Sequence, residues 1–299
     1  MNRKGLLAIL LVFGFLFSVF FLFVLLVVSS GSRDFDVNEV GIGVVEVSGA
    51  IMESKTAVEQ IESFERSEKI KGIIVRVNSP GGAVSPSQEI HGAVLRARKK
   101  KKVVISMGSL AASGGYYIAC AGDRIFANPG TITGSIGVVT QLTNFSELAE
   151  LAKVRVHTIT SGDYKDSGNP FRAFNEQDET FFKQMVMNVH EQFVRDISKN
   201  REMALDDVRE LADGRVYTGE QAKENGLVDE LGGLRDAAEY IGDEVGLGSD
   251  PTLIYPKPKD EEILQRFLKM TSQGVVKGVV QGVRDHSVPS LEYMYTGPN

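Results

Sequence analysis

Residues 70–82 read Ile-Lys-Gly-Ile-Ile-Val-Arg-Val-Asn-Ser-Pro-Gly-Gly, an apolar run that closes in a cluster of turn-forming residues. The apolar part predicts a strand over Ile70–Val77, and the Asn-Ser-Pro-Gly-Gly cluster predicts that this strand ends in a tight turn. The sequence segments before and after this stretch indicate whether the strand belongs to a parallel or an antiparallel sheet.

The segments on either side alternate between strand patterns and helix patterns. Further strands are predicted at Val40–Val47, Val103–Ser106, Arg124–Ala127, Ile136–Thr140 and Val154–Thr160. Helices are predicted at Thr56–Arg66, in the segment that begins near Pro86, and over about Glu176–Lys199. This alternation predicts an α/β domain with a largely parallel sheet and flanking helices.

The N-terminus carries a candidate membrane span. Residues 5–28 hold no charged side chain and are mostly Leu, Val and Phe, and as a helix they would extend about 36 Å, enough to cross a bilayer. Arg3 and Lys4 precede the run, so the positive-inside rule places the N-terminus in the cytoplasm and the following chain outside. We therefore predict a signal anchor at 1–28 with a transmembrane helix at 5–28, the alternative being a cleaved signal peptide.

The rest of the chain divides by composition. Residues 29–39 form a polar stalk, 40–250 the main folded domain, and 251–299 a C-terminal extension that includes the linker Pro256–Asp260. The last residues, from Glu292, are expected to be disordered, and the alternative is that they lie in a groove or at a contact between copies.

Charge and motif searches exclude several classes of protein. The formal charge of −6, from 33 basic and 39 acidic residues, disfavours a nucleic-acid partner. A single cysteine, Cys120, excludes an intrachain disulfide and a multi-cysteine zinc site, and a buried, unreactive thiol is expected. The sequence contains no P-loop, no H-E-x-x-H, no S-x-x-K and no G-x-S-x-G motif.

A serine in a glycine-rich junction is the best remaining candidate for a nucleophile. Ser113 lies in Gly-Ser-Leu-Ala-Ala-Ser-Gly-Gly-Tyr-Tyr (108–117), where a strand is predicted to lead into a helix. The N–H of Gly114 and the turn 78–82 would both lie at carboxyl ends of strands, so two backbone donors could form an oxyanion hole. The alternative is that both segments are packing turns.

The residues offer two kinds of base for this serine, a histidine or a lysine. None of the four histidines has an evident aspartate partner, which weakens a Ser-His-Asp triad. Lys165 lies in a polar loop after a predicted strand, and a lysine must lose about 3.4 pKa units, roughly 4.6 kcal/mol, to accept a proton near pH 7. Burial can supply this, and the Ser135 hydroxyl is a candidate to orient the amine; the alternative is a solvated loop lysine.

Taken together, these segments resemble the signal peptide peptidase A family of membrane-anchored serine proteases. The spacing between Ser113 and Lys165 resembles that of the short, single-module form of the family. The matching segments are Val75–Gly82, Ser106–Tyr117, Thr133–Val138, Ser161–Asp166 and Ala212–Gly232.

The resemblance implies roles for five residues. Ser113 would be the nucleophile and Lys165 the general base, Gly82 and Gly114 would donate the oxyanion-hole N–H groups, and Ser135 would hold the lysine amine. It also implies a crotonase-like or Clp-protease-like fold and a homo-oligomeric ring, by resemblance an octamer whose dyads combine residues of neighbouring protomers.

Function and location are implied in the same way. The substrates would be remnant signal peptides and other short apolar or unfolded peptides, hydrolysed without metal or organic cofactor. The enzyme would be a single-pass protein of the bacterial inner membrane with its catalytic domain on the extracytoplasmic side. Two alternatives remain open, a crotonase-like acyl-CoA enzyme on the same fold and a non-catalytic membrane scaffold.

Overall fold

The predicted alternation of strands and helices is confirmed by the computed structural model, which describes residues 39–256 and the backbone of residues 292–294. Both stretches belong to the same compact unit of the chain. The predicted span 5–28, most of the stalk and most of the C-terminal extension lie outside the described residues. No helix within the described part is both long and apolar enough to cross a membrane.

Strands alternate with helices along most of the described chain. The strands are β1 (Gly41–Ser48), β2 (Ile70–Ser79), β3 (Gly81–Ala83), β4 (Lys102–Ala112), β5 (Arg124–Ala127), β6 (Ile132–Gly134), β7 (Val216–Thr218), β8 (Glu230–Leu231), β9 (Leu253–Ile254) and β10 (Glu292–Met294). The helices are α1 (Lys55–Arg66), α2 (Val84–Arg98), α3 (Gly114–Ala119), α4 (Ser146–Leu151), α5 (Glu176–Arg201), α6 (Leu205–Leu211), α7 (Gly219–Glu224) and α8 (Leu234–Glu244).

The main sheet is mostly parallel. Its strands follow the order β7-β6-β4-β2-β1-β9, and among the strands that the structure describes in this sheet only the pair β6–β7 is antiparallel. The central strands β1, β2 and β4 pair in parallel over most of their length. Parallel strands need crossover connections, which α1 and α2 provide, and this explains the alternation visible in the sequence.

Strand β4 divides the sheet. Its first half pairs with β5 through Val104–Ser106, and its second half pairs with β6 through Leu110–Ala112. The other side of β4 pairs with β2. The divided sheet brings the end of β6 beside the end of β4, and both ends contribute to the candidate site.

The core occupies both faces of the sheet because successive strand residues point to opposite sides. On one face, Ile73 and Val75 of β2 join the larger apolar cluster with residues of α1, α2, α3 and α5. On the other face, Ile74 joins Ile42, Val104 and residues of α8. A strand that is buried on both faces is almost continuously apolar, as the quoted stretch is.

Two predicted strands are wrong. Val154–Thr160 forms no strand: its seven residues are exposed, and its alternating pattern finds no partner strand in the described chain. A strand is stable only when its backbone groups are paired with a neighbouring strand, so the alternating sequence pattern alone does not produce a strand here. The strand expected at Ile136–Thr140 lies earlier, at Ile132–Gly134, because that stretch is the one that pairs with β4 and β7.

Candidate active site

Ser113 lies at the sharp junction between β4, which ends at Ala112, and α3, which begins at Gly114. Its backbone has φ 54° and ψ −117°, a conformation that a non-glycine residue rarely adopts. The Ser113 N–H donates to the carbonyl of Gly134 at 2.8 Å, and its carbonyl accepts from the N–H of Tyr117 at 2.8 Å. Backbone strain of this kind costs about 1–3 kcal/mol and clusters at active sites, so the surrounding structure holds this serine in a special position.

The Ser113 hydroxyl is buried and has no hydrogen-bond partner in the described part of the chain. Its residue is 1% exposed, and none of the described residues hydrogen-bonds to the Oγ atom. Buried polar side chains in folded proteins almost always have a partner, so an orphaned hydroxyl requires an explanation. A role as nucleophile explains it, because such a hydroxyl makes its contacts with a base and a substrate carbonyl.

The residue after Ser113 offers a backbone donor. Gly114 is the first residue of α3, and the first N–H groups of a helix have no acceptor within that helix. The next residue, Gly115, lies so close to β2 that an added Cβ would approach the Ser79 carbonyl oxygen to 2.9 Å. The start of α3 is therefore pressed against the turn that follows β2.

Gly82 is placed beside this junction by β3, which packs against α3. On one side β3 is held by Ile51, whose N–H donates to the Gly81 carbonyl at 2.9 Å and whose carbonyl accepts from the Ala83 N–H at 2.8 Å. A Cβ on Gly82 would lie 2.3 Å from the Ile51 carbonyl oxygen, so only glycine fits. Because backbone groups alternate along a strand, the N–H and carbonyl of Gly82 face away from Ile51.

Ser135 lies next to Ser113 in the register of the divided sheet. Ala112 pairs with Gly134, so Ser113 and Ser135 each follow the last paired residue of their strands. Ser135 is 7% exposed and also has a positive φ of 48°, and its N–H donates to the Arg215 carbonyl at 2.8 Å. The fold thus gathers four of the five predicted site residues around one junction.

Lys165 is the fifth, and it lies apart in the single chain. It belongs to an exposed run of turns, where its N–H donates to the Gly162 carbonyl at 3.1 Å. Its amine forms no hydrogen bond to the Ser113 hydroxyl. One chain alone therefore does not assemble the predicted dyad.

The turn that carries Lys165 is nevertheless held in place by an arginine that sequence reasoning missed. The Arg172 guanidinium donates to the Asp166 carboxylate at 2.7 Å, to the Asp166 carbonyl at 2.7 Å, and to the Asp178 carboxylate at 2.8 Å. Asp178 is 1% exposed and caps α5 together with Asn175, and its hydrogen bonds from Arg172 lower its pKa to about 2. Arg172 thus ties the neighbour of Lys165 to the start of a long helix.

The segment around Lys165 exposes an unusual amount of apolar surface. Sixteen large apolar side chains are exposed in the described part of the chain, and ten of them fall within residues 139–174, which we call the apolar arm. Single exposed apolar residues are ordinary, but a concentration of them marks an interaction surface. They are Val139, Phe145, Leu148, Leu151, Val154, Val156, Ile159, Tyr164, Phe171 and Phe174.

Comparison with known sequences identifies the family. Residues 96–248, about half of the chain, match peptidase family S49, and residues 43–133 match the Clp protease family. The chain belongs to peptidase family S49. The second match and the observed, mostly parallel sheet are consistent with the Clp-protease-like fold that the family resemblance implies.

Relatives of this S49 peptidase cover between 65% and 80% of the chain. A candidate protease of Synechocystis is 39% identical over 220 residues, covering 72% of this chain and 79% of that protein. A candidate signal peptide peptidase, SppA, of Enterococcus faecium is 39% identical over 249 residues, covering 80% and 72%. The chloroplastic serine protease SPPA of Arabidopsis thaliana is 34% identical over 196 residues, covering 65% and 29%. The resemblance to the signal peptide peptidase A family is thereby confirmed.

The histidine and the cysteine closest in sequence to this S49 junction serve its packing. His91 is 5% exposed, its ring lies 4.6 Å from that of Tyr117, and its Nε2 lies 3.0 Å from the Asn200 amide nitrogen. Burial lowers the pKa of His91 to about 4 and raises that of Cys120 to about 12. Both groups are therefore neutral core residues, and the expectation that the Cys120 thiol is buried is confirmed.

Proposed function

We propose that this S49 peptidase is a serine endopeptidase with Ser113 as nucleophile and Lys165 as general base. The observation that carries the proposal is the buried hydroxyl of Ser113, held in a strained backbone conformation without a hydrogen-bond partner among the described residues. The serine protease named among the relatives supports the same class of peptidase.

The reaction follows from the positions of the backbone donors. Ser113 loses its proton to a neutral lysine and attacks the peptide carbonyl, and the N–H groups of Gly82 and Gly114 stabilise the oxyanion that forms. The lysine then protonates the leaving amine, which departs and leaves an acyl-serine. Water, deprotonated by the same lysine, hydrolyses this ester and restores the hydroxyl. Ser135, beside Ser113, orients the amine.

The lysine is supplied by a neighbouring copy of the chain. A lysine amine is a neutral base near pH 7 only where its pKa is lowered, and burial away from water lowers it, whereas Lys165 is exposed in the single chain. The apolar arm that carries Lys165 would bury its exposed side chains against a second copy, and this contact would bring the amine to the other copy's Ser113. Repetition of the contact closes a ring, and the family resemblance implies eight protomers.

The substrates are remnant signal peptides and other short apolar or unfolded peptides. Such peptides partition into the bilayer, and an anchor at residues 5–28 would raise the concentration of the enzyme near them. The enzyme is then a single-pass protein of the bacterial inner membrane with its catalytic domain outside the cytoplasm.

A serine-reactive fluorophosphonate probe tests the nucleophile and the base together. In detergent-solubilised protein, mass spectrometry is expected to locate the label on Ser113, and labelling should disappear in Lys165→Ala. Lys153→Ala, which removes another exposed lysine of the apolar arm, is the matched control and should label normally. Full peptidase activity in Ser113→Ala would reject the assignment.

Mixing two inactive variants tests whether the dyad is shared. Ser113→Ala and Lys165→Ala each lack half of the dyad, so neither alone is active. Co-assembled in equal amounts, they should recover activity at about a quarter of the sites, where an intact serine meets a neighbour's intact lysine. If both groups came from one chain, the mixture would stay inactive.

A further inference from the structure

The pairing between β2 and β4 shifts shortly before the candidate nucleophile. Up to Val77, which faces Met107, the two strands pair residue for residue. The next pair joins Ser79 to Ala111, so three residues of β4 stand where β2 has one. We call these three residues, Gly108–Leu110, the β4 bulge. Bulges are frequent beside active sites, where they change the direction or position of a side chain.

The β4 bulge sets how far β4 extends toward the candidate site. Without the bulge, residue-for-residue pairing would bring Ser109 opposite Ser79, and Ser113 would lie four residues farther along. With the bulge, Ser113 lies two residues beyond the partner of Ser79. Each strand residue advances the chain by about 3.3 Å, so the bulge draws Ser113 back by about 6.6 Å along the sheet.

A buried threonine holds the β4 bulge from the side of β6. Thr131, the residue before β6, is 2% exposed, and its hydroxyl donates to the Gly108 carbonyl at 2.7 Å. Gly108 is buried and pairs with none of the described strands. Because a buried carbonyl needs a donor, the Thr131 hydroxyl takes the place of a hydrogen bond of the sheet.

An asparagine of β2 holds the same bulge from the other side. The Asn78 Oδ1 atom accepts from the Leu110 N–H at 3.3 Å. Gly108 packs directly on this side chain, since an added Cβ would lie 2.7 Å from the Asn78 Oδ1 atom. One carbonyl and one N–H of the β4 bulge are therefore held by side chains from the two strands or strand ends that flank β4.

We propose that Thr131 and Asn78 are positioning residues for the reaction at Ser113. By fixing the β4 bulge, they set the position of the nucleophile relative to the N–H of Gly82. This inference rests on the proposed function of Ser113. A misplacement of reacting groups by about 1 Å can cost about 100-fold in rate, so loss of either hydrogen bond should slow the chemical step rather than weaken substrate binding.

Hydrolysis of a fluorogenic apolar decapeptide tests the threonine. Thr131→Val keeps the shape of the side chain but removes the hydroxyl, so kcat should fall at least about 10-fold while KM changes less than about twofold. Thr131→Ser restores the hydroxyl and should keep kcat within about threefold of the wild type. An unchanged kcat in Thr131→Val would overturn the proposal.

The exposed asparagine provides a second pair of variants, which keeps the proposal testable if Thr131→Val does not fold. Asn78→Ala removes the acceptor of the Leu110 N–H and should lower kcat at least about threefold, again with KM nearly unchanged. Asn78→Asp keeps an acceptor oxygen and should retain the wild-type kcat. Equal kcat values in the wild type and Asn78→Ala would reject the role of the asparagine.

Ser198→Ala separates a positioning role from a general loss of stability. The Ser198 hydroxyl donates to the Met203 carbonyl at 2.7 Å, a bond of the same kind and length as that of Thr131, but it lies near the end of α5. Thermal unfolding should show a lower Tm for both Ser198→Ala and Thr131→Val, whereas only Thr131→Val should lose kcat. A matching loss of kcat in both would attribute the effect to destabilisation and overturn the proposal.

Hydrogen exchange distinguishes failure of this inference from failure of the proposed function, because it needs no activity. The amides of residues 108–113 should exchange at least about 10-fold faster in Thr131→Val than in Thr131→Ser. This result in a protein that Ser113→Ala leaves fully active would support the hold on the β4 bulge and reject the proposed function. Unchanged exchange and kcat in a protein that Ser113→Ala inactivates would reject the positioning role alone.

Discussion

At the scale of single residues, the site depends on a few backbone conformations that cost stability. Ser113 and Ser135 both have positive φ, and both are held by hydrogen bonds from their own N–H groups to carbonyls distant in sequence. Gly82 approaches the Ile51 backbone more closely than any side chain would allow. The protein thus holds its candidate nucleophile and oxyanion donor by tertiary contacts rather than by local preference.

The strain at Ser113 predicts a gain in stability when the serine is replaced by glycine. Glycine relieves about 1–3 kcal/mol of strain but loses about 0.5–1 kcal/mol more chain entropy on folding than alanine does. Ser113→Gly should therefore be about 1 kcal/mol more stable than Ser113→Ala, while both lack peptidase activity. Denaturant unfolding of the two variants measures the difference, and equal stabilities would show that the backbone at Ser113 is unstrained.

The buried His91 predicts a loss of stability in mild acid. Its pKa is lowered, chiefly by burial, to about 4 from the unfolded value near 6.5, so the folded state favours the neutral ring. The stabilisation is complete above about pH 6.5 and is lost as the pH falls toward 4. Between pH 7 and pH 5 this one group should reduce the free energy of unfolding by about 2 kcal/mol.

Denaturant unfolding of the wild type and of His91→Gln at these two pH values checks this prediction. Glutamine has no titrating group but keeps a polar side chain near the Asn200 amide. The variant should lose about 2 kcal/mol less than the wild type between pH 7 and pH 5. The same loss in both proteins would mean that other groups cause the pH dependence.

At the scale of elements, the predicted bounds are close to the observed ones for strands and helices whose buried apolar residues repeat with the period of that element. β5 has the predicted bounds, and β1, α1 and α5 begin or end within two residues of prediction. β4 continues for six residues beyond the predicted Ser106, through Gly108 and Ser109, which break the apolar pattern. That extension exists because Leu110–Ala112 pair with Ile132–Gly134, a contact between segments that are distant in the sequence.

The arginine clamp of the apolar arm makes a prediction at this scale. Removing the guanidinium in Arg172→Ala leaves the buried Asp178 carboxylate with the Asn175 N–H and the Ser167 side chain as its remaining described partners, and frees the turn that carries Lys165. Such a loss costs about 1–3 kcal/mol, so both stability and peptidase activity should fall. Denaturant unfolding and peptide hydrolysis measure the two effects.

Arg155→Ala is the matched control for the clamp, because it removes an exposed arginine of the same apolar arm that forms no ion pair among the described residues. It should leave stability within about 0.5 kcal/mol of the wild type. Equal effects of the two substitutions would show that loss of charge, rather than the clamp, is responsible.

At the scale of the whole molecule, the exposed apolar arm is the feature that the single chain does not explain. Its large apolar side chains are exposed on the surface around Lys165. Lys165 is the residue that the proposed mechanism needs at the active site of another copy. Burial of apolar surface is the main favourable contribution to the free energy of association between protein chains. We therefore expect the loss of this surface to abolish assembly and activity together.

The double variant Leu148→Asp/Ile159→Asp tests this expectation. Leu148 and Ile159 are 61% and 97% exposed, so replacing them with aspartate should leave the fold intact. The new carboxylates would be costly to bury, so these positions should no longer pack against a second copy. Light scattering coupled to size-exclusion chromatography should show a shift toward monomer, with loss of peptide hydrolysis. Met187→Asp, on an exposed position of α5 outside the arm, is the control. Persistent oligomers with full activity in the double variant would exclude the arm as the interface.

The sequence by itself determined the α/β class, the family, and the segments that carry the candidate site, because apolar periodicity and turn-forming clusters are local properties. Only the tertiary structure decided the strained backbone of Ser113, the exposure of Lys165, the clamp by Arg172 and the pairing of β10 with β3. These features depend on contacts between backbone groups and charged side chains that are distant in the sequence. A local sequence pattern does not contain information about such contacts.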